Sequence, residues 1–371
     1  MTLYKISAPG KLMLSGEWSV LERDVPCIVL AVQQRVYVSI RLAEETKIVL
    51  KDFNINTKVK IVEGRIFFEK DDNRLSFTKF AVETALRYLI EREFPIRNFE
   101  LVTHADIISV KKNKTNQEMK VGFGSSAAAV VAIIGAVLKI HEAISFTDED
   151  KEVIFKLGII AHYFGQGKLG SGFDIAASTF GGVLVYKRFD PEWLQQELES
   201  KPLLEVINQK WPILEHWNLN LPRNLELMIG FTGTSASTRK LVKQMKIFKQ
   251  EDPVSFQRII DDIKKVTQNL IKAIKNEDKT EIIKLMNENR LLLEELSIAC
   301  SCHLEIEEHR IMSKIAGKYG GVAKFSGAGG GDCSIGICFH NEIKNAVGNE
   351  WKQREIMPID ITISEDGIKT E

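Results

Sequence analysis

The sequence predicts an α+β fold in two units, and three observations carry that prediction. Stretches of helical and of strand-like hydrophobic spacing are interspersed in both halves, with no strict βα alternation that would build a parallel sheet. A stretch rich in Pro and Trp at 190–222 breaks the pattern and sets the units at 1–190 and 223–371, joined by a connector at 191–222. Hydrophobic residues make up 44% of the 371, which suits two domains of ordinary size, each with its own core.

The elements follow in order. Residues 3–8 and 27–42 alternate as strands do, with Val36, Val38, Ile40 and Leu42 on one side and Tyr37, Ser39 and Arg41 on the other. KIVL, KVKIVE and RIFFE within 46–69 are further strands, separated by Asn-rich and Gly turns. Residues 78–92 place Phe80, Ala81, Ala85, Leu86, Leu89 and Ile90 on one helical face. Phe99–Thr103 is a strand, and Lys111–Lys120 a polar, mobile loop. Helices are expected over 126–141 and 149–164, and another from near Asp174, before a strand at Gly182–Phe189. The connector holds a helix or two. Leu225–Thr232 opens the second unit as a buried strand. Helices at 235–249, 253–276, 279–298 and 304–319 precede strands at 322–326, 333–339 and 356–363.

Composition excludes several classes. Fifty basic residues balance fifty acidic ones, unlike a protein whose whole body binds nucleic acid. The apolar content is too high for a disordered chain. Five cysteines, an odd number in a long chain, do not form a disulfide framework. The N-terminus has no long apolar segment, and the longest apolar run, Ala127–Leu138, is too short to span a bilayer. A soluble cytoplasmic protein, monomer or homodimer, with neither membrane nor nucleic-acid partner is expected. Cys300-Ser301-Cys302-His303 reads as helix-end packing, because no second Cys/His pair stands at ligand spacing.

Five segments could carry chemistry. Gly122-Phe123-Gly124-Ser125-Ser126-Ala127 leads into a strongly apolar helix. Glycines allow close backbone approach, and the helix start offers unpaired N–H groups and a positive dipole end, so the segment suits phosphate. A Ser N-cap behind a Gly turn is the alternative. Pro9-Gly10-Lys11 reads as a turn that places a lysine at the start of an apolar segment; a solvated surface lysine is the alternative. Gln166–Asp174 (QGKLGSGFD) carries Lys168, Ser171 and Gly172 and ends on Asp174, either an N-cap or a carboxylate that orients an attacking oxygen. Phe325–Cys333 holds Gly327, Gly329, Gly330 and Gly331, more glycine than a simple turn needs. Phe231–Arg239, with Ser237 and Arg239, joins a strand to a helix and is otherwise a hydroxyl-rich N-cap.

PGK near the start, GFGSSAA in the middle and SGAGGGD near the end, in that order over roughly residues 5–340, resemble the GHMP small-molecule kinases. Within that family QGKLGSGFDIAAS, KVGFGSSA and FTGTSASTRKLV look most like the phosphomevalonate kinases. The resemblance implies an N-terminal domain like ribosomal protein S5 domain 2 and a ferredoxin-like C-terminal domain. It implies ATP and Mg²⁺ as cofactors, with (R)-5-phosphomevalonate as the acceptor and (R)-5-diphosphomevalonate as the product; mevalonate is the alternative acceptor. Lys11 and Asp174 match the family's catalytic pair. Lys120, Gly122, Phe123, Gly124, Ser125, Ser126 and Ala127 would hold ATP, with Ser126 on the metal. Lys168, Ser171, Gly172, Ser237, Arg239, Gly329 and Gly330 would meet the acceptor. One departure stands out: residues 157–173 contain no carboxylate, and Tyr163 occupies the offset at which mevalonate kinases carry a metal-binding Glu. A non-catalytic metabolite sensor on this fold would have lost the lysine, the aspartate or the glycine loops, and all are present.

The zero net charge hides a sorting by segment. Arg239, Lys240, Lys243, Lys246 and Lys249 run without an acid, and Lys111, Lys112, Lys114 and Lys120 face only Glu118. Acids dominate 277–308 and 355–371. Basic stretches therefore flank the segments expected to meet phosphate, as small anionic substrates require.

Overall fold

The computed structural model describes residues 2–70, 72–106, 108–111, 118–121, 123–168, 170–234 and 238–371, with the backbone alone for 108–111, 118–120 and 238–240. It is the α+β, two-domain chain that the sequence predicts. The first sheet is built on two long strands, β1 (Leu3–Ser15) and β2 (Pro26–Leu42), paired antiparallel. β3 (Lys47–Leu50), β4 (Ile55–Val62), β5 (Arg65–Phe68) and β6 (Phe99–Ala105) extend it on one side. β6 pairs with β2 antiparallel and with β3 parallel. On the other side lies β9 (Val183–Lys187). Helices α1 (Ser76–Glu91), α2 (Ser125–Ile140), α3 (Asp148–Gly165) and α4 (Phe173–Phe180) cover one face. α2 is apolar nearly all round and buried, as a helix in the middle of a layer must be. β7 (Ile108–Lys111) and β8 (Glu118–Val121) pair as a hairpin, so the stretch expected as one loop is partly strand; its middle, 112–117, lies outside the described residues.

The connector contains α5 (Pro191–Ser200) and α6 (Leu203–Asn208), as expected, and also β10 (Glu215–Asn218), which pairs with β9 and so joins the first sheet. The second sheet has the order β12 (Val322–Phe325), β13 (Cys333–Cys338), β11 (Glu226–Phe231), β14 (Met357–Ile359), and all its pairs are antiparallel. With it go α7 (Thr238–Glu251), α8 (Pro253–Lys275), α9 (Lys279–Ala299), α10 (Glu307–Lys318) and α11 (Asn341–Gln353). No helix among the described residues is long and apolar enough to cross a membrane.

The chain end returns to the first sheet. β15 (Lys369–Thr370) pairs with β1, and Ile368 joins the core beneath it. Arg35, nearly buried, holds this tail through the carbonyls of Asp366 and Gly367 and the Ser364 hydroxyl.

Candidate active site

The centre is assembled around Lys11. Pro9-Gly10-Lys11 is no turn: it lies inside β1, where the register with β2 shifts between Pro9 and Gly10. A bulge tolerates the missing proline N–H. The glycine is required because a Cβ at residue 10 would stand 2.5 Å from the Phe123 carbonyl oxygen. That close approach lets Lys11 N–H donate to the same oxygen at 2.7 Å, fixing β1 against the segment that leads into α2. The lysine stem then crosses Gly124, where a Cβ would lie 3.0 Å from Lys11 Cγ and Cε. Its ammonium sits 5.3 Å from the Phe173 ring centroid and 3.8 Å from the position of a Cβ on Gly327. One cation thus touches the start of α2, the start of α4 and the glycine loop of the second unit.

Both helix starts are entered through left-handed glycines, Gly124 (φ 76°) and Gly172 (φ 88°), and neither has a side-chain cap. The first N–H groups of α2 are therefore placed to meet an anion. The first turn of α2 carries Ser125, exposed, and Ser126, half-buried, with no acid. The first turn of α4 carries Asp174, whose Oδ1 accepts from Ile175 N–H at 3.0 Å. The loop before α4 is pinned from behind: Tyr186 Oη donates to Ser171 O at 2.7 Å, and Arg188 Nη2 to Gly170 O at 3.2 Å. Ser178 Oγ donates to Pro9 O at 2.8 Å, tying α4 to β1.

His162 on α3 joins the two starts. Its Nε2 lies 3.2 Å from Ser126 Oγ, and its Nδ1 3.7 Å from Asp174 Oδ2. Burial lowers its pKa; nearby Asp174 opposes this and nearby Lys11 adds to it. Among the described residues Lys11 has no carboxylate within 4.0 Å, so the expected Lys11–Asp174 pair is a shared neighbourhood rather than a contact.

The second unit contributes backbone. Gly327, Gly329, Gly330 and Gly331 all have positive φ. Gly330 N–H donates to Leu304 O at 2.7 Å, and Ser326 Oγ exchanges hydrogen bonds with the Met13 main chain at 2.9 and 3.0 Å. Behind the loop, Lys324 and Glu17 form a fully buried ion pair. Burial raises the Glu17 pKa and lowers that of Lys324, each opposed by the other's charge.

Two cavities adjoin these loops. One, of about 440 Å³, is lined by Leu50, Phe53, Phe77 and Val121 and reaches Ser125 and Ser126. The other, of about 530 Å³, lies between Trp18, Tyr163, Lys168, Arg188 and α7. Trp18 Nε1 and Arg188 Nε, buried in its wall, have no hydrogen-bond partner among the described residues.

Of the residues the sequence singles out, Lys11, Phe123, Gly124, Ser125, Ser126, Ala127, Gly172 and Asp174 gather here. Lys168 lines the second cavity instead and donates to Gln195 Oε1 at 3.0 Å. Ser171 is buried against Tyr186, and Gly329 and Gly330 are held by Leu304. Gly122 and Ser237 lie outside the described residues, as do the side chains of Lys120 and Arg239. Glu17, Trp18, His162, Arg188 and Lys324 are the residues that sequence reasoning missed. Only Lys324 left a signal, as a charge in a short strand that is otherwise apolar.

Comparison with known proteins accords with this geometry. Residues 79–182 match the family model described as the GHMP kinases N terminal domain, and residues 270–355 the one described as GHMP kinases C terminal. A phosphomevalonate kinase from a Streptomyces species is 27% identical, with 97% of each chain covered. A mevalonate kinase from Pyrococcus abyssi is 30% identical, over 98% of this chain and 97% of that one. Among solved structures, the Lin0012 protein from Listeria innocua superposes with a TM-score of 0.90 at 28% identity, over 100% of this chain and 99% of the other. Phosphomevalonate kinase from Streptococcus pneumoniae, in complex with phosphomevalonate and AMPPNP, gives 0.82 at 22% identity, over 98% and 100%. With both halves matched and a 30% identical relative aligned along nearly its whole length, the chain belongs to the GHMP kinase family.

Proposed function

We propose that this kinase of the mevalonate pathway transfers the γ-phosphoryl group of ATP to the phosphate of (R)-5-phosphomevalonate, giving (R)-5-diphosphomevalonate and ADP. The observation that carries the choice of acceptor is the second cavity. The space is lined by Lys168, Arg188 and Lys246, whose charged N–H groups donate to an anion. An acceptor bearing both a carboxylate and a phosphate satisfies such donors better than one bearing a carboxylate alone. The cavity walls continue into the centre: Arg188 holds Gly170, four residues before Asp174, and Trp18 follows Glu17.

The apolar cavity beside Ser125 and Ser126 suits a nucleoside, with its phosphates at the free N–H groups of α2. In the transfer, an acceptor phosphate oxygen forms the new bond to the γ-phosphorus, and the bond to the β–γ bridging oxygen breaks, its electron pair leaving with ADP. A phosphate monoester has a second pKa near 6, so its oxygen attacks already ionised at neutral pH. That chemistry fits a centre that carries Asp174 and has Tyr163 where mevalonate kinases place a second carboxylate. Asp174 then orients the acceptor more than it removes a proton. Lys11 neutralises charge between the two phosphates.

Mg²⁺ is implied by the family. No group of three His, Cys, Asp or Glu side chains that could hold a metal occurs among the described residues. Ser126 Oγ and Asp174 fit an ion that keeps most of its ligands as phosphate oxygens and water. When bound, the ion would supply charge neutralisation at those phosphates.

The 30% identical Pyrococcus abyssi relative favours a second reading, with mevalonate as the acceptor. ADP release assayed in parallel with mevalonate and with 5-phosphomevalonate, with the product identified by mass, separates the two. Turnover of mevalonate alone rejects the first reading. Arg188→Met is expected to raise KM for 5-phosphomevalonate more than KM for ATP.

A further inference from the structure

Three buried histidines allow a comparison within the chain. His141 and His309 are bonded to main chain: His141 to Val137 O and Arg97 N–H, His309 to Ile306 N–H and Gly331 O. That is how a core imidazole is ordinarily satisfied. His162 differs. The polar neighbours of its ring among the described residues are side chains: Ser126 and Gln166 at hydrogen-bond distance, and Asp174 at 3.7 Å. Its ring is stacked on Phe77 at 5.1 Å, which fixes the plane and aims one nitrogen at each helix start.

We propose that His162 is a positioning residue of the transfer centre, setting the Ser126 hydroxyl and the Asp174 carboxylate relative to one another through its two ring nitrogens. The proposal rests on the phosphotransfer reading above. Gln166 Nε2, which can only donate, lies 3.3 Å from His162 Nε2, so that nitrogen is an acceptor. The ring proton is therefore on Nδ1, toward Asp174. Ser126 Oγ, at 3.2 Å, shares the one lone pair of Nε2 with Gln166 when its hydroxyl hydrogen turns to that nitrogen, and its oxygen lone pairs then face outward. Ser126 is thus an acceptor toward whatever cation approaches, whereas exposed Ser125 remains free to donate to phosphate. The imidazole also couples the starts of α2 and α4, which carry these groups on separate helices.

The test compares His162→Leu with His162→Gln, whose amide can reach the Ser126 side of the ring. His162→Leu should lower kcat by about 10–100-fold, as loss of an outer-shell partner does, with KM for ATP little changed. His162→Gln should recover part of that loss. A His162→Leu enzyme with normal kcat overturns the proposal, as does a loss that follows a lowered melting temperature and is not rescued by His162→Gln. Nitrogen NMR of the ring supplies a readout independent of turnover. Nδ1 should be protonated and sensitive to Asp174→Asn, and Nε2 should be an acceptor sensitive to Ser126→Ala. A ring indifferent to both substitutions overturns the proposal. A wild-type protein inert with both acceptors counts against the phosphotransfer reading alone, and the ring nitrogens then decide the place of His162.

Discussion

The start of α2 and the loop at 326–332 are both glycine-rich and both meet Lys11, yet they are built on different principles. At α2 one left-handed glycine, Gly124, opens a helix whose buried apolar body anchors it, and the side chains that follow face the site. The 326–332 loop offers almost no side chains and has no helix behind it. It is held by tethers from elsewhere: Leu304 O on Gly330, His309 on Gly331, Met13 on Ser326, and the buried Glu17–Lys324 pair beneath. The glycines answer to different needs as well. At Gly329 a Cβ would stand 2.5 Å from Leu304 O, so the tether by itself requires glycine there. The first unit therefore carries the charged and hydroxyl side chains of the centre on rigid elements, and the second presents backbone to them through contacts that cross between the units.

The largest effect is expected where the loop is tied down. Lys324→Met strands the Glu17 carboxylate with no counter-charge, which costs about 3–5 kcal/mol for a buried pair. Denaturant midpoints should fall accordingly, and the double variant Glu17→Leu/Lys324→Met should recover part of the loss. An unchanged midpoint for Lys324→Met would mean that the pair does not hold the loop. Next comes the point where both regions meet. Lys11→Met should cost about 10²–10³-fold in kcat, the scale for one preorganised charge donor, and should do so across the pH range. Near-normal turnover would remove Lys11 from the mechanism and leave the convergence on it without function.

A pH measurement probes one tether on its own. Burial holds His309 neutral, with its pKa brought down to about 4. The unfolded imidazole titrates near 6.5. Between those values the unfolded chain binds the extra proton, so stability rises with pH across that window and is lost on acidification. The full loss is on the order of 3 kcal/mol at 1.36 kcal/mol per unit. Unfolding midpoints followed from pH 7 to 4 should fall less steeply in His309→Gln than in the wild type. Equal slopes would show that the carboxylates alone govern the acid limb.

The same contrast explains how much was legible in the sequence. Helices such as 125–140 and 148–165 were readable within a residue or two, because one local periodicity decides each. The glycine entries to α2 and α4, with Asp174 just behind the second, were readable because glycine spacing is a local signal. Pro9-Gly10 was misread as a turn: the Phe123 carbonyl that demands glycine there is over a hundred residues away. β10 and the returning tail were hidden for a similar reason, since their pairing partners, β9 and β1, lie in another part of the chain. His162 resembled any core histidine on an apolar helix, and Glu17 any surface acid, until their partners were in place.

The smallest effect sharpens the contrast between orienting and reacting groups at the helix starts. Asp174→Asn keeps the shape of the side chain, and its Oδ1 can still accept from Ile175 N–H, but the charge is gone. A general base would forfeit about 10²–10⁴-fold. With an acceptor ionised near pH 6, little proton transfer is needed at pH 8, so the loss there should fall below that range. It should grow as the pH drops and the acceptor protonates. A uniform loss across that range, with the wild-type rate following a single ionisation in the usual carboxylate region, would make Asp174 a base. It would also shift the balance toward mevalonate, whose hydroxyl, unlike a phosphate, must lose its proton during transfer.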